Sequence, residues 1–197
     1  MKKIAIIGAV DKRVIAYPLL KVLTYLGKVL VVTDESTYRR FDENYSRRFE
    51  ANLINYWVET EVTEKTYQEV DNLVTPYDFV VFITTNEIPP STDKIIYCRG
   101  IDKGFGTPDV VQQLEEKPID EVLTVYVTFS KLEDKTLIRL EPSKTMYMYI
   151  AECEDKKEFV DLKDTATASM LYKFFEDELG VPKSTIQGLL KRKEGGK

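Results

Sequence analysis

Lys12 and Arg13 follow Asp11 at the end of the run Gly8-Ala9-Val10-Asp11-Lys12-Arg13, which comes directly after the apolar residues Ile4-Ala5-Ile6-Ile7. A glycine at the end of a strand lets the chain turn tightly and aim backbone N–H groups at an anion, and a lysine beyond it can meet a phosphate. Asp11 works in the other sense: its carboxylate can cap a following helix, leaving Lys12 and Arg13 as charges at a turn. A second carboxylate, Asp34, ends the apolar run Val29-Leu30-Val31-Val32-Thr33. The chain has no histidine, and Cys98 and Cys153 lie far apart. A Cys/His zinc site and a Ser-His or Cys-His catalytic pair are therefore excluded within it.

These residues need a scaffold, and the pattern around them supplies one. Ile4–Ile7 is too short and too β-branched for a buried helix. After the turn, Leu19, Leu20, Val22, Leu23 and Leu26 recur at helical spacing until Gly27. Strand, turn and helix in that order open a βαβ unit. Val29–Thr33 then reads as a strand buried on both faces of a parallel sheet, with Asp34 at its carboxyl end, the edge where such sheets place ligands. Pro18 conflicts with a helix begun at Lys12, which must either kink there or start near Tyr17.

Residues 52–58, 79–84, 95–98 and 121–129 read as further strands. Residues 66–73, a segment opened by Pro108, and 165–179 read as helices. In 37–52, Tyr38, Phe41, Tyr45 and Phe49 form an aromatic stripe at helical spacing with arginines beside it, read as an amphipathic helix packed on the sheet. Residues 146–152 and 158–162 flank the polar turn 154–157 and read as a hairpin. The expectation is an α/β fold with a mainly parallel, doubly wound, three-layer sheet of P-loop or Rossmann-like type. Antiparallel strands are expected near the C-terminal half. Residues 1–182 form one domain in this reading, and 183–197 a short basic amphipathic tail.

With 28 basic and 33 acidic residues the net charge is −5, so no global basic field favours nucleic acid. No leader-like or membrane-spanning run is evident, and the expectation is a cytoplasmic protein with reduced thiols.

The segment Ile7-Gly8-Ala9-Val10-Asp11-Lys12-Arg13 resembles, without a gap, the variant phosphate loop K-G-G-x-G-K-[ST] of the ParA/MinD-type ATPases. Gly8 takes the first glycine, Val10 the variable position and Lys12 the phosphate lysine. Ile7 replaces the signature lysine, Asp11 a glycine, and Arg13 the hydroxyl that would hold Mg²⁺. Leu30–Asp34 is similar to the family's second strand and its aspartate. Tyr77–Ile83 is similar to its D-x-x-x-x-D strand, with Ile83 in place of the second aspartate. The Pro89-Pro90 loop keeps the order, and the resemblance covers about the first hundred residues.

The resemblance implies a cofactor of ATP or ADP type held by Gly8, Ala9, Val10, Asp11, Lys12, Arg13 and Asp34, with no catalytic residue and no metal ligand. It implies a non-catalytic or weakly nucleotide-binding scaffold or positioning factor that works through protein contacts in a partition, pilus, secretion or division assembly. An active ATPase with an unusual loop, and a Rossmann-like nucleotide or anion sensor, stand as alternatives. A homodimer is an open expectation. The family's C-terminal membrane helix has a counterpart in Ile186, Leu189 and Leu190 flanked by Lys183, Lys191, Arg192 and Lys193, enough for weak peripheral contact only.

Overall fold

The computed structural model describes residues 1–36, 38, 54–59, 61–74, 76–99, 108–117, 122–128, 146–149 and 165–191. Seven strands of the described residues make one sheet: β1 (Lys2–Ile7), β2 (Val29–Thr33), β3 (Ile54–Val58), β4 (Phe79–Thr84), β5 (Lys94–Arg99), β6 (Val122–Thr128) and β7 (Met146–Tyr149). Their order across the sheet is β3-β2-β4-β1-β5-β6-β7, and every neighbouring pair is parallel. The unbroken apolar runs follow from that position, since a central strand covered on both faces has no exposed side to make polar.

Among the described residues five helices cover the two faces: α1 (Arg13–Leu26), α2 (Glu64–Asp71), α3 (Pro108–Glu115), α4 (Thr165–Leu179) and α5 (Lys183–Lys191). On one face α1, α4 and α5 pack over Ile4, Ile6, Val29, Val31, Val81, Ile83, Ile96 and Cys98. On the other, α2 and α3 bring Tyr67, Val70, Val110 and Leu114 onto Ala5, Ile7, Leu30, Val32, Phe82 and Tyr97. The connection β1-α1-β2 runs one way across the sheet on the first face. β3-α2-β4 and β5-α3-β6 run the opposite way on the second, as right-handed crossovers require.

One expectation is corrected and one alternative decided. The antiparallel addition near the C-terminal half is not seen: β7 runs parallel to β6, with Val125 opposite Met146 and Thr128 opposite Tyr149. Of the hairpin expected over 146–152 and 158–162, β7 falls on described residues, and residues 150–164 lie outside them. The helix after the turn starts at Arg13 and carries Pro18 inside it, so Pro18 does not delay the start to Tyr17. The aromatic stripe lies outside the described residues apart from Tyr38, which is fully buried.

The tail opens with a short helix, Lys183–Lys191, and its Ile186 and Leu189 are buried in the core beside α1 and α4. That apolar edge is used in packing, and a membrane contact through it would require α5 to leave the core. No helix of the described residues is long and apolar enough to cross a membrane.

Candidate functional site

β1 and β5 are neighbours, yet their outgoing connections leave over opposite faces of the sheet. A crevice opens at the carboxyl ends of such a pair. The turn after β1 lies in it. Gly8 has φ +132°, and a Cβ there would sit 2.0 Å from the backbone oxygen of Cys98 on β5. Only glycine fits this backbone and this approach. On the other side the Gly8 N–H donates to the Thr84 carbonyl of β4 at 3.3 Å. The turn is thus held between the two strands flanking β1, with Ala9 exposed and Val10 turned into the core.

At the start of α1, where unpaired N–H groups favour an anion, the chain supplies its own. Asp11 Oδ1 accepts the Arg13 backbone N–H at 3.0 Å. The same carboxylate accepts Arg13 Nε at 2.9 and 3.0 Å and Nη2 at 2.5 Å. Burial pushes the Asp11 carboxyl upward, but the Arg13 hydrogen bonds and charge outweigh it, and its pKa lies below the ordinary value. Asp11 and Arg13 neutralise each other across two residues.

Lys12 is also spoken for. Its side chain is 2% exposed, and its ammonium forms an ion pair with Glu35 Oε1, just past the end of β2. Nζ donates to the Gly8 carbonyl at 2.5 Å and, at the long end, to the Val10 carbonyl at 3.4 Å. An ammonium has three protons to give, and all three have acceptors within the protein. Glu35 is positioned through its backbone: its N–H donates to Thr33 Oγ1 at 3.0 Å, and that hydroxyl donates to the Ile83 carbonyl at 2.7 Å. Burial raises the Glu35 carboxyl above its usual range, aided by Asp34 and Asp11, while Lys12 opposes the shift.

Asp34 lies beside this group. Burial, together with the nearby Glu61 charge, holds its carboxyl above the ordinary range against the pull of Lys12 and a backbone hydrogen bond. Strand register places Ile7, Thr84 and Tyr97 at one level of the carboxyl edge, with Asp34 one step beyond the Thr33–Ile83 pair. α2 brings Tyr67 over Phe82, ring centroids 5.3 Å apart. Asp34 Oδ1 and the Tyr67 and Tyr97 hydroxyls are buried without a hydrogen-bond partner. Thr84 Oγ1 donates to the Glu87 carbonyl at 2.6 Å. Cys98 is buried behind the turn, and burial pushes its thiol up to about 12.

The structure therefore brings Gly8 to Arg13 and Asp34 to one edge, as the sequence suggests. Glu35, Tyr67 and Tyr97 join them there, and nothing in their local sequence marks them. Ile83, where the resemblance has a second aspartate, is fully buried, and Asp78 lies at the opposite edge, accepting the Lys28 N–H at 2.7 Å. Among the described residues no group of three or more His, Cys, Asp or Glu is arranged to hold a metal ion.

No protein-family model and no curated protein matches the chain. Among solved structures, FlhF complexed with GTP/Mg²⁺ is 16% identical at a TM-score of 0.39, over 98% of this chain and 62% of that one. FlhF complexed with GMPPNP/Mg²⁺ is 15% identical at a TM-score of 0.38, over 98% and 63%. A de novo designed protein of P-loop NTPase fold is 14% identical at 0.33, over 93% and 96%. The chain thus spans less than two thirds of the FlhF chains it matches, and likeness this remote assigns no ligand and no residue role.

Proposed function

We propose that this chain is a non-catalytic, at most weakly nucleotide-binding α/β protein of P-loop-like architecture that acts as a scaffold or positioning factor through protein contacts. The observation that carries the reading is the Asp11 carboxylate on the Arg13 N–H and guanidinium at the start of α1. An internal carboxylate there repels a polyphosphate at close range and uses a donor the ligand would need. Phosphoryl transfer rests on positioning and on charge stabilisation by lysine and Mg²⁺. Here Arg13 stands where the resemblance has a metal-binding hydroxyl, and Ile83 where it has a carboxylate.

Phosphate release at saturating Mg-ATP and Mg-GTP tests the catalytic half of this reading. The expected rate equals that of Lys12→Ala, and release above that background overturns it. Affinity purification with a tagged chain tests the other half. A partner retained equally by wild type and Lys12→Ala supports the scaffold role, whereas one retained only with added nucleotide favours an active switch.

A further inference from the structure

We infer that Glu35 is the specificity-determining residue of the β1 turn: it occupies the Lys12 ammonium in place of a ligand anion, so a phosphate-class ligand binds only by displacing it. The inference rests on reading the turn as an anion-binding architecture closed from within, and it assigns the closing contact to a residue just past β2, outside the turn itself.

Several observations point to a displaceable occupant. The Lys12 side chain is 2% exposed and that of Glu35 19%, so Glu35 has an edge on solvent, although its Oε1 on the ammonium is buried. The ammonium is held by the turn that it closes, through the Gly8 and Val10 carbonyls. The Glu35 backbone is fixed on both sides, its N–H on Thr33 Oγ1 and its carbonyl accepting the Tyr38 N–H at 3.0 Å. Displacement of Glu35 therefore calls for movement of its side chain and leaves β2 in place. Its surroundings also disfavour it, since the Asp11 and Asp34 carboxylates lie close by and burial acts on the charge. From β5, Cys98 contributes a thiol kept neutral by burial. Lys12 favours the charged Glu35 carboxylate, while burial and the Asp34 and Asp11 carboxylates oppose it.

An incoming phosphate oxygen would take the position of Glu35 Oε1 on Lys12. Binding is then an exchange of one carboxylate for one phosphate, and the gain of an anion–ammonium contact is largely cancelled by the loss of another. Glu35→Gln removes that competition. A charge-assisted hydrogen bond of ordinary strength corresponds to about a ten- to hundredfold change in affinity.

The test uses inorganic pyrophosphate as the probe, titrated calorimetrically into wild type, Glu35→Gln, Lys12→Met and the double variant. The expected result is at least tenfold tighter binding to Glu35→Gln, absent from Lys12→Met and from the double variant. Because Glu35→Gln leaves a buried ammonium without its counter-ion, the variant is destabilised. Thermal unfolding therefore accompanies the titration: pyrophosphate raises the Tm of Glu35→Gln more than that of wild type, even if the variant is marginally folded. The double variant removes both charges and is the folded control, with no pyrophosphate response. Unchanged affinity and unchanged Tm response in Glu35→Gln overturn the inference, as does a gain that persists in the double variant. Tight pyrophosphate binding by wild type instead refutes the closed-turn reading on which the inference rests.

Discussion

Gly8→Ala is the substitution on which the geometry speaks most strongly. The added Cβ would stand 2.0 Å from the Cys98 carbonyl oxygen, and φ +132° is itself a region that L side chains rarely adopt. Backbone strain of this kind costs about 1–3 kcal/mol. The turn cannot retreat freely, because the Gly8 N–H is bonded to Thr84 O at 3.3 Å and the Gly8 carbonyl to Lys12 Nζ at 2.5 Å. Moving away from β5 weakens both bonds, at about 1 kcal/mol each. The sum is roughly 3–5 kcal/mol. For a domain of this size, a shift of about 2–4 °C per kcal/mol gives a Tm lowered on the order of 10 °C. Thermal unfolding followed by circular dichroism and by Trp57 fluorescence measures it, with Ala9→Ser at the exposed neighbouring position as the control that stays at the wild-type value. A Gly8→Ala protein that melts within 2 °C of wild type would refute the reasoning (a resolution limit set against the expected shift).

Asp11→Asn should flatten the acid limb of the stability curve. The Asp11 pKa is depressed in the folded state, so its contribution is present above the ordinary value of 3.8 and is lost as pH falls through the lower folded value. Denaturant titrations between neutral and strongly acid pH should therefore lose more stability for wild type than for the variant. Pro18→Ala restores an N–H able to bond the Val14 carbonyl inside α1, and chemical denaturation should show a gain of about 1–3 kcal/mol; a loss would mean that the ring's packing outweighs the missing bond. Tyr67→Phe removes a buried hydroxyl that has no partner, so stability should hold or rise by about 1 kcal/mol, whereas a clear fall would show that the hydroxyl is satisfied.

Much of the scaffold was legible because it depends on local pattern. Ile4–Ile7, Val29–Thr33 and Phe79–Thr84 are unbroken apolar runs because they are buried on both faces, and they are the strands on which the site is built. The residues Gly8 to Arg13 and Asp34 stood out for the same reason, as breaks at the ends of those runs. The parallel pairing of β7 with β6 is not legible, because local pattern marks a strand and not the direction of its neighbour. Nothing in the sequence sets Glu35 apart from its neighbour Asp34. Only the meeting of the β2 end with the start of α1 puts a carboxylate on Lys12, and no spacing in the chain encodes that encounter. Tyr67 and Tyr97 looked like ordinary apolar positions of a helix and a strand; their unpaired hydroxyls emerge only once α2 is laid over β4. Pro18 pointed to a real conflict, and α1 resolves it by keeping the proline inside the helix.

The chain's own carboxylates already occupy the turn after β1, Asp11 on Arg13 and Glu35 on Lys12. Calorimetric titration of Mg-ATP and Mg-ADP into the wild-type protein tests it most directly. The account predicts dissociation constants no tighter than about 100 µM, corresponding to roughly −5.5 kcal/mol. Micromolar binding that disappears in Lys12→Ala would contradict it.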